Sequence, residues 1–163
     1  MRKVARILAV LLALFVVVAA ADNGPRRIAV LDDCDPADDA WTPTGGCVKD
    51  GGEVTFAEFL AAAPLGHPAW RNAPSYLKVF GTGNLQVAND GGRAHTFTEV
   101  AAYGNGVVPP LNPNGSAPVP ECGDFSDSLL EPGASLKIER LEKGIHKYQC
   151  CFHPWMRAEV RVD

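Results

Sequence analysis

Residues 148–156 read Tyr-Gln-Cys-Cys-Phe-His-Pro-Trp-Met and contain the most informative side chains of the chain. A thiol at Cys150, an imidazole at His153 and a thioether at Met156 fall within seven positions of one another. Soft sulfur ligands combined with imidazole are a donor set that suits copper. A loop is the right host for them, because three closely spaced side chains must converge on one point. This stretch therefore predicts a metal site on a loop near the C-terminus.

The chain around this stretch has the pattern of a β protein from about residue 75 onward. Short apolar or alternating runs are separated by Gly, Asn and Pro turn signals. Residues 104–128 are dense in Pro, Gly and Asn and are expected to form one long loop. The pattern favours an all-β, antiparallel Greek-key sandwich or barrel. The predicted strands are 76–80, 85–89, 95–100, 135–141, 146–150 and 158–162.

Residues 22–70 are predicted to be an N-terminal extension of this domain. A short strand is expected at 26–31, and the pair Thr55 and Glu58 resembles a capping box that begins a short amphipathic helix. The acidic residues between the two elements are expected to form a solvated loop, since they lack the glycine and distal glutamate of a calcium-binding loop. These acidic residues are Asp32, Asp33, Asp35, Asp38 and Asp39.

The first 21 residues are predicted to be a signal peptide. A basic start is followed by an unbroken apolar run at 7–20, and Ala19 and Ala21 fit the small-residue cleavage pattern. The run is shorter than the roughly 20 residues of a membrane span, although a retained anchor is the alternative. We therefore expect a periplasmic or extracellular protein with no stable membrane span after cleavage. The formal net charge of −4 speaks against nucleic-acid binding.

Residues 75–163 resemble the cupredoxins, the blue copper proteins. The resemblance rests on the pattern Tyr148-x-Cys150-x-x-His153-x-x-Met156 and on His95, which follows a Gly-Gly turn upstream. It implies a cupredoxin-like domain over 71–163 with one copper ion that alternates between Cu(I) and Cu(II). The ligands that it implies are His95, Cys150, His153 and Met156.

Each of these ligands has an alternative. His67 and His146 compete with His95 for the upstream position. Cys151 is the alternative thiolate ligand, and Cys150 would then be free to form half of a disulfide. The alternative role of Met156 is to fill a gap in the core. Only two residues separate His153 from Met156, fewer than in plastocyanin-like loops, and this spacing resembles that of some bacterial members.

The chain has five cysteines, so in an exported protein with disulfides at least one sulfur is left over or pairs outside the chain. If the resemblance reserves Cys150 for copper, the remaining four allow three pairings. Cys34 and Cys47 flank a turn-rich loop and make a natural local bridge. That leaves Cys122 to pair with Cys151, whose side chain should point away from the metal because neighbouring strand residues face opposite sides.

The resemblance implies an electron carrier that exchanges single electrons with a redox protein such as a c-type cytochrome or an oxidoreductase. Copper storage or delivery without redox turnover is the rival function, and a metal-free extracellular interaction domain is a third. We do not expect an enzyme. No catalytic triad or phosphate-binding loop is visible, and Gln149 and Cys151 stand where a multicopper oxidase would need histidines beside Cys150.

Overall fold

The computed structural model describes residues 26–163, apart from 82, 114 and 116. The predicted signal peptide at 1–21 therefore lies outside the described residues. The described part contains ten strands, one α-helix and four short 3-10 helices. The strands are β1 (Arg26–Leu31), β2 (Arg71–Ala73), β3 (Tyr76–Val79), β4 (Leu85–Asn89), β5 (His95–Thr96), β6 (Thr98–Val100), β7 (Leu129–Leu130), β8 (Ser135–Ile138), β9 (Gly144–Gln149) and β10 (Arg157–Val162).

Two four-stranded sheets and a two-stranded ribbon form the framework. The first sheet has the order β2-β1-β4-β8, the second has the order β3-β10-β9-β6, and β5 pairs with β7. The predicted all-β sandwich is confirmed, and its sheets are not closed into a barrel. The structure refines the prediction in one respect, because the sheets are mixed: β1 runs parallel to β4, and β3 runs parallel to β10. The other strand pairs are antiparallel.

The core lies between the two sheets and follows the period-two pattern of their strands. Ile28 and Val30 of β1 face inward with Leu85 and Val87 of β4, and all four are fully buried. The second sheet contributes every other residue of β10, where Ala158, Val160 and Val162 are buried. These side chains belong to one continuous hydrophobic cluster. Burial of apolar side chains from both sheets is the main stabilising contribution to this architecture.

The helix α1 (Phe56–Ala62) begins as the sequence predicts. Thr55 accepts a hydrogen bond from the Glu58 N–H, and the Glu58 carboxylate accepts one from the Thr55 N–H, which completes the capping box. Phe59 on this helix packs against Trp41 and Trp70, with ring centroids 5.3 and 4.8 Å away. All three side chains belong to the hydrophobic cluster of the sheets.

The chain changes sheet at Phe97. Its N–H donates to the Ser128 carbonyl, whereas β6 directly after it pairs with β9. The Phe97 ring stacks on Tyr148, with centroids 4.3 Å apart. This crossing places β5, which carries His95, beside the C-terminal end of β9, which leads into Cys150. The described residues of 104–128 form the predicted long loop, which includes 3-10 helices at Pro109–Leu111 and Pro120–Gly123. A third, Ser126–Ser128, ends it.

Candidate metal centre

Three donor side chains meet at one end of the sandwich. The ligand atoms of His95, Cys150 and His153 all lie within 4.8 Å of one another. Among the His, Cys, Asp and Glu side chains that the structure describes, these three form the group that could hold a metal ion. The Cys150 Sγ is 3.8 Å from the His95 Nδ1 and 3.6 Å from the His153 Nδ1. Cys150 and His95 are fully buried, and His153 is 6% exposed.

The loop after β9 is closed by its own backbone. The Cys150 N–H donates to the Met156 carbonyl at 3.0 Å, and the Met156 N–H donates to the His153 carbonyl at 2.9 Å. Met156 is fully buried at the end of this loop. These bonds hold the residues from Cys150 to Met156 as one compact turn.

Hydrogen bonds from β5 attach the loop to the strand that carries His95. The Thr96 N–H donates to the Cys150 Sγ at 3.3 Å. The Cys151 N–H donates to the Thr96 Oγ1 at 2.8 Å. His95 and Cys150 are 55 residues apart in sequence, so these contacts to the residue next to His95 fix the spacing between the two donors.

The four remaining cysteines form two disulfides. Cys34 is bonded to Cys47, and Cys122 is bonded to Cys151, while Cys150 is a free, buried thiol. These are the pairs predicted from the sequence. The second bridge links the long loop to the residue beside Cys150.

His67 and His146, the two alternatives to His95 as the upstream ligand, have other contacts in the structure. The His67 Nδ1 accepts a hydrogen bond from the Ala69 N–H, and the His67 ring meets Trp70 edge-on. The His146 Nδ1 contacts the Glu99 carboxylate at 2.7 Å, and its Nε2 contacts the Glu142 carbonyl at 2.8 Å. Neither histidine belongs to the group that contains Cys150.

Sequence reasoning missed Asp32, which contacts His95 directly. The Asp32 Oδ2 lies 2.8 Å from the His95 Nε2, and both side chains are fully buried. The expectation of a solvated acidic loop is wrong for this residue. The signal was present in the pattern, because Asp32 continues the inward-facing series of Ile28 and Val30 at two-residue spacing.

The hydrogen bonds around Cys150 favour its thiolate form. Burial raises the pKa of Cys150, but hydrogen bonds with His153 and His95 outweigh it and hold the pKa well below the usual value. Burial lowers the pKa of His95, whereas its bonds with Asp32 and Cys150 raise the pKa to about 9. For His153 burial dominates, so its pKa is lowered. The hydrogen bonds among these side chains therefore favour the charged form of the Cys150 sulfur and of the His95 imidazole, and burial favours the neutral form of His153.

A cavity of about 740 Å³ lies next to His153. Its walls include the aromatic rings of Trp41, Phe56, Phe59 and Phe152, together with Arg93. His153 is the least buried of the three donors, so this cavity is the side on which the group lies nearest to solvent.

No protein-family model and no curated protein matches the chain. Searches of solved structures find cupredoxins, the family that the sequence resembles. A purple cupredoxin from Nitrosopumilus maritimus is 17% identical over 85% of this chain and 99% of its own, with a TM-score of 0.47. An amicyanin variant in the reduced state is 21% identical over 55% of this chain and 70% of its own, with a TM-score of 0.36. An oxidised amicyanin variant is 13% identical over 89% and 88%, with a TM-score of 0.43.

Within the described residues, no helix has both the length and the apolar character to cross a membrane.

Proposed function

We propose that this chain binds one copper ion through His95, Cys150, His153 and Met156 and carries single electrons. The observation that carries the proposal is the convergence of two imidazoles and one free cysteine sulfur within 4.8 Å at a buried position. A trigonal set of one thiolate and two imidazoles with a distant thioether is the donor arrangement of blue copper centres. Met156, fully buried in the same loop, is proposed as that axial ligand.

The donor set fits copper better than zinc. Structural zinc sites use four Cys or His ligands, and catalytic sites use three protein ligands with an open water position. Among the described residues, the group around Cys150 contains no third imidazole and no second cysteine sulfur that could be the fourth ligand of a structural zinc site. The thioether proposed in that place is a soft ligand, which suits Cu(I). Copper bound in this site would supply a one-electron couple between Cu(I) and Cu(II).

The residues of the chain would hold the ligands in one geometry for both oxidation states. The backbone bonds from Cys150 to Met156 and the Thr96 N–H bond to the sulfur leave the loop little freedom. Full burial of Cys150 and His95 keeps water away from the sulfur. A site that changes little between two charge states needs little reorganisation, which favours electron transfer over storage of the ion.

Electrons would pass through His153, because its ring lines the cavity at the surface of the protein. We propose a redox protein, such as a c-type cytochrome or an oxidoreductase, as the partner. The net charge of −4 favours steering toward a basic partner. Two disulfides suit an oxidising compartment, and with the predicted signal peptide they support a periplasmic or extracellular location.

Reconstitution of the metal-free protein with Cu(II) tests the proposal. A strong visible absorption from thiolate-to-copper charge transfer, saturating at one equivalent, is the expected result. Reversible voltammetry and fast reduction by a cytochrome would then favour an electron carrier over a storage protein. A colourless product would rule out both the blue copper site and the electron carrier, while colourless but tight Cu(I) binding would favour copper delivery.

A further inference from the structure

Asp32 holds the imidazole of His95 from the side opposite to Cys150. The His95 Nε2 is 2.8 Å from the Asp32 Oδ2, while its Nδ1 faces the sulfur at 3.8 Å. We infer that Asp32 is a positioning residue that directs Nδ1 to the metal and strengthens His95 as a ligand of the oxidised ion. This inference rests on the proposed copper function for its redox consequence, but its geometric part can be tested without copper.

The Asp32 carboxylate is itself held by four donors. Its Oδ1 accepts hydrogen bonds from the N–H groups of Cys34 and Gly92, at 3.3 and 3.0 Å. Its Oδ2 accepts a bond from the Arg93 N–H at 3.1 Å in addition to the contact with His95. Burial disfavours the charged form of this carboxyl group, but the bonds with His95 and the backbone N–H groups outweigh it and lower its pKa.

The sequence leaves room for this close approach. A Cβ atom at position 91 would lie 2.1 Å from the Asp32 Oδ2, and a Cβ at position 92 would lie 2.7 Å from the Cys34 Sγ. The Gly91-Gly92 pair therefore lets the turn before β5 close over the carboxylate and donate two of its N–H bonds, from Gly92 and Arg93.

The segment that carries Asp32 is anchored on both sides. Cys34, two residues after Asp32, is bonded to Cys47. The Lys49 ammonium donates to the Asp32 carbonyl at 2.7 Å and pairs with Asp33 at 3.0 Å. The region predicted as an N-terminal extension thus supplies one residue in direct contact with a proposed ligand, together with the covalent bridge that restrains it.

The effect of Asp32 on copper binding is expected because the two ring nitrogens of His95 have different partners. An N–H at Nε2 that donates to a carboxylate leaves the Nδ1 lone pair for the metal and increases its basicity. Loss of such a partner typically costs about 10–100-fold in metal affinity. The more highly charged Cu(II) gains more from a basic ligand than Cu(I), so removal of the Asp32 charge should weaken Cu(II) binding more and raise the reduction potential. Each ten-fold difference between the two losses corresponds to about 59 mV for one electron.

The test compares Asp32→Asn and Asp32→Leu with the matched control Asp33→Asn. The Asn side chain has almost the shape of Asp, and its oxygen can still accept from Nε2. It removes the charge and keeps that hydrogen bond, but its NH2 group then takes the place of Oδ1 and cannot accept from the Cys34 and Gly92 N–H groups. Leu removes both. Asp33 is the neighbouring carboxylate, is 37% exposed and pairs with Lys49, but makes no contact with His95. It therefore reports on charge at the same place in the fold without the bond to the imidazole.

The first readout is the His95 Nε2–H proton in nitrogen-15 NMR spectra of metal-free and Zn(II)-loaded protein. We expect a slowly exchanging, strongly hydrogen-bonded proton in the wild-type protein and in Asp33→Asn, and its loss in Asp32→Leu. A wild-type spectrum without that proton, or with zinc on Nε2, would overturn the inference even if no variant folds. Because this readout needs no copper, it stands whether or not a blue site forms.

The second readout is the Cu(II) affinity and the reduction potential. We expect Asp32→Asn to lose about 10–100-fold in Cu(II) affinity, with a smaller loss for Cu(I) and a raised potential, while Asp33→Asn stays close to wild type. Equal shifts in both variants would indicate a general charge effect and overturn the positioning role, as would an unchanged Asp32→Asn. If the wild-type protein forms no coloured copper complex, the proposed function fails while the NMR result still decides the geometry.

Discussion

Cys150 and Cys151 are neighbours in the chain, yet only one of their sulfurs is free. Cys151 is bonded to Cys122, whereas the Cys150 thiol is unbonded and faces His95 and His153. The bridge fixes the residue beside the proposed ligand and commits the second sulfur to a covalent bond, so that it cannot act as a ligand. Cys151 thus contributes to stability, while the Cys150 thiol directly before it is left unbonded.

Replacing the free thiol should remove the copper chemistry and leave the fold. In Cys150→Ser, a smaller oxygen takes the place of the sulfur, and the Thr96 N–H keeps an acceptor. We expect loss of the visible charge-transfer band on addition of Cu(II), with an unchanged far-ultraviolet circular dichroism spectrum. A coloured Cys150→Ser protein would show that the thiolate ligand lies elsewhere.

Replacing the bridge should have the opposite effect. The double variant Cys122→Ala/Cys151→Ala keeps Cys150 and should still form the coloured complex. We expect a loss of about 2–4 kcal/mol in the free energy of unfolding, the typical contribution of a disulfide, measured by urea denaturation of the metal-free protein. Peptide mapping without reductant should find one free thiol in the wild-type protein, at Cys150. A free thiol at Cys151 instead would contradict the assignment.

Met156 is expected to adjust the potential without being needed for binding. Met156→Leu nearly conserves volume, so its cost in stability should stay below about 1.5 kcal/mol. Because a weak axial ligand tunes the site, we expect copper to remain bound and the reduction potential to rise when the thioether is replaced by a hydrocarbon. Voltammetry and the visible spectrum check this. If neither changes, Met156 is a core side chain and not a ligand.

Much of the fold could be predicted from local patterns. The range of β1 and the capping box of α1 agree with the sequence prediction, because alternation and capping act between residues close in sequence. The parallel pairs β1–β4 and β3–β10 could not be predicted, since strand partners are chosen by packing between distant segments. The strands β2 and β7 have three and two residues, too few to show a pattern.

The sequence predicted the proposed ligands of the candidate site but not the carboxylate that contacts one of them. Spacing alone placed Cys150, His153 and Met156 on one loop, and the structure brings His95 to the same place from a distant strand. Asp32 was assigned to an exposed acidic run, because its neighbours have the same composition. Whether an Asp is buried depends on donors such as the Gly92 and Arg93 N–H groups, which come from 60 residues away.

The boundary predicted at residue 70 can be tested through Trp41. This side chain is 2% exposed and contacts Phe56, Phe59 and Trp70, and the Arg93 guanidinium lies 4.6 Å from its ring centroid. We expect Trp41→Ala to cost about 3–5 kcal/mol and to shift a single unfolding transition of the whole chain. Val48→Ala, at a position that is 69% exposed, is the control and should change little. An unchanged main transition beside a separate early one would show that residues before 70 unfold on their own.

His146 should give the protein a pH-dependent stability that is independent of the metal site. Burial lowers the pKa of His146, but its hydrogen bonds with the Glu142 carbonyl and the Glu99 carboxylate raise the pKa by more, so in the folded protein it lies above the ordinary value of 6.5. The protonated imidazole is thus favoured by folding. Its contribution is fully present below pH 6.5 and is lost as the pH rises through the raised pKa.

We therefore expect the wild-type protein to lose more stability than His146→Gln when the pH rises from below 6.5 to above the raised pKa. Glu99→Gln removes one of the groups that raise the pKa and should lie between the two. Since His95 and Cys150 are present in all three proteins, their own titrations cancel in the comparison of free energies from urea denaturation. A His146→Gln profile parallel to that of the wild type would mean that the contact with Glu99, at 2.7 Å, does not favour the charged imidazole in solution.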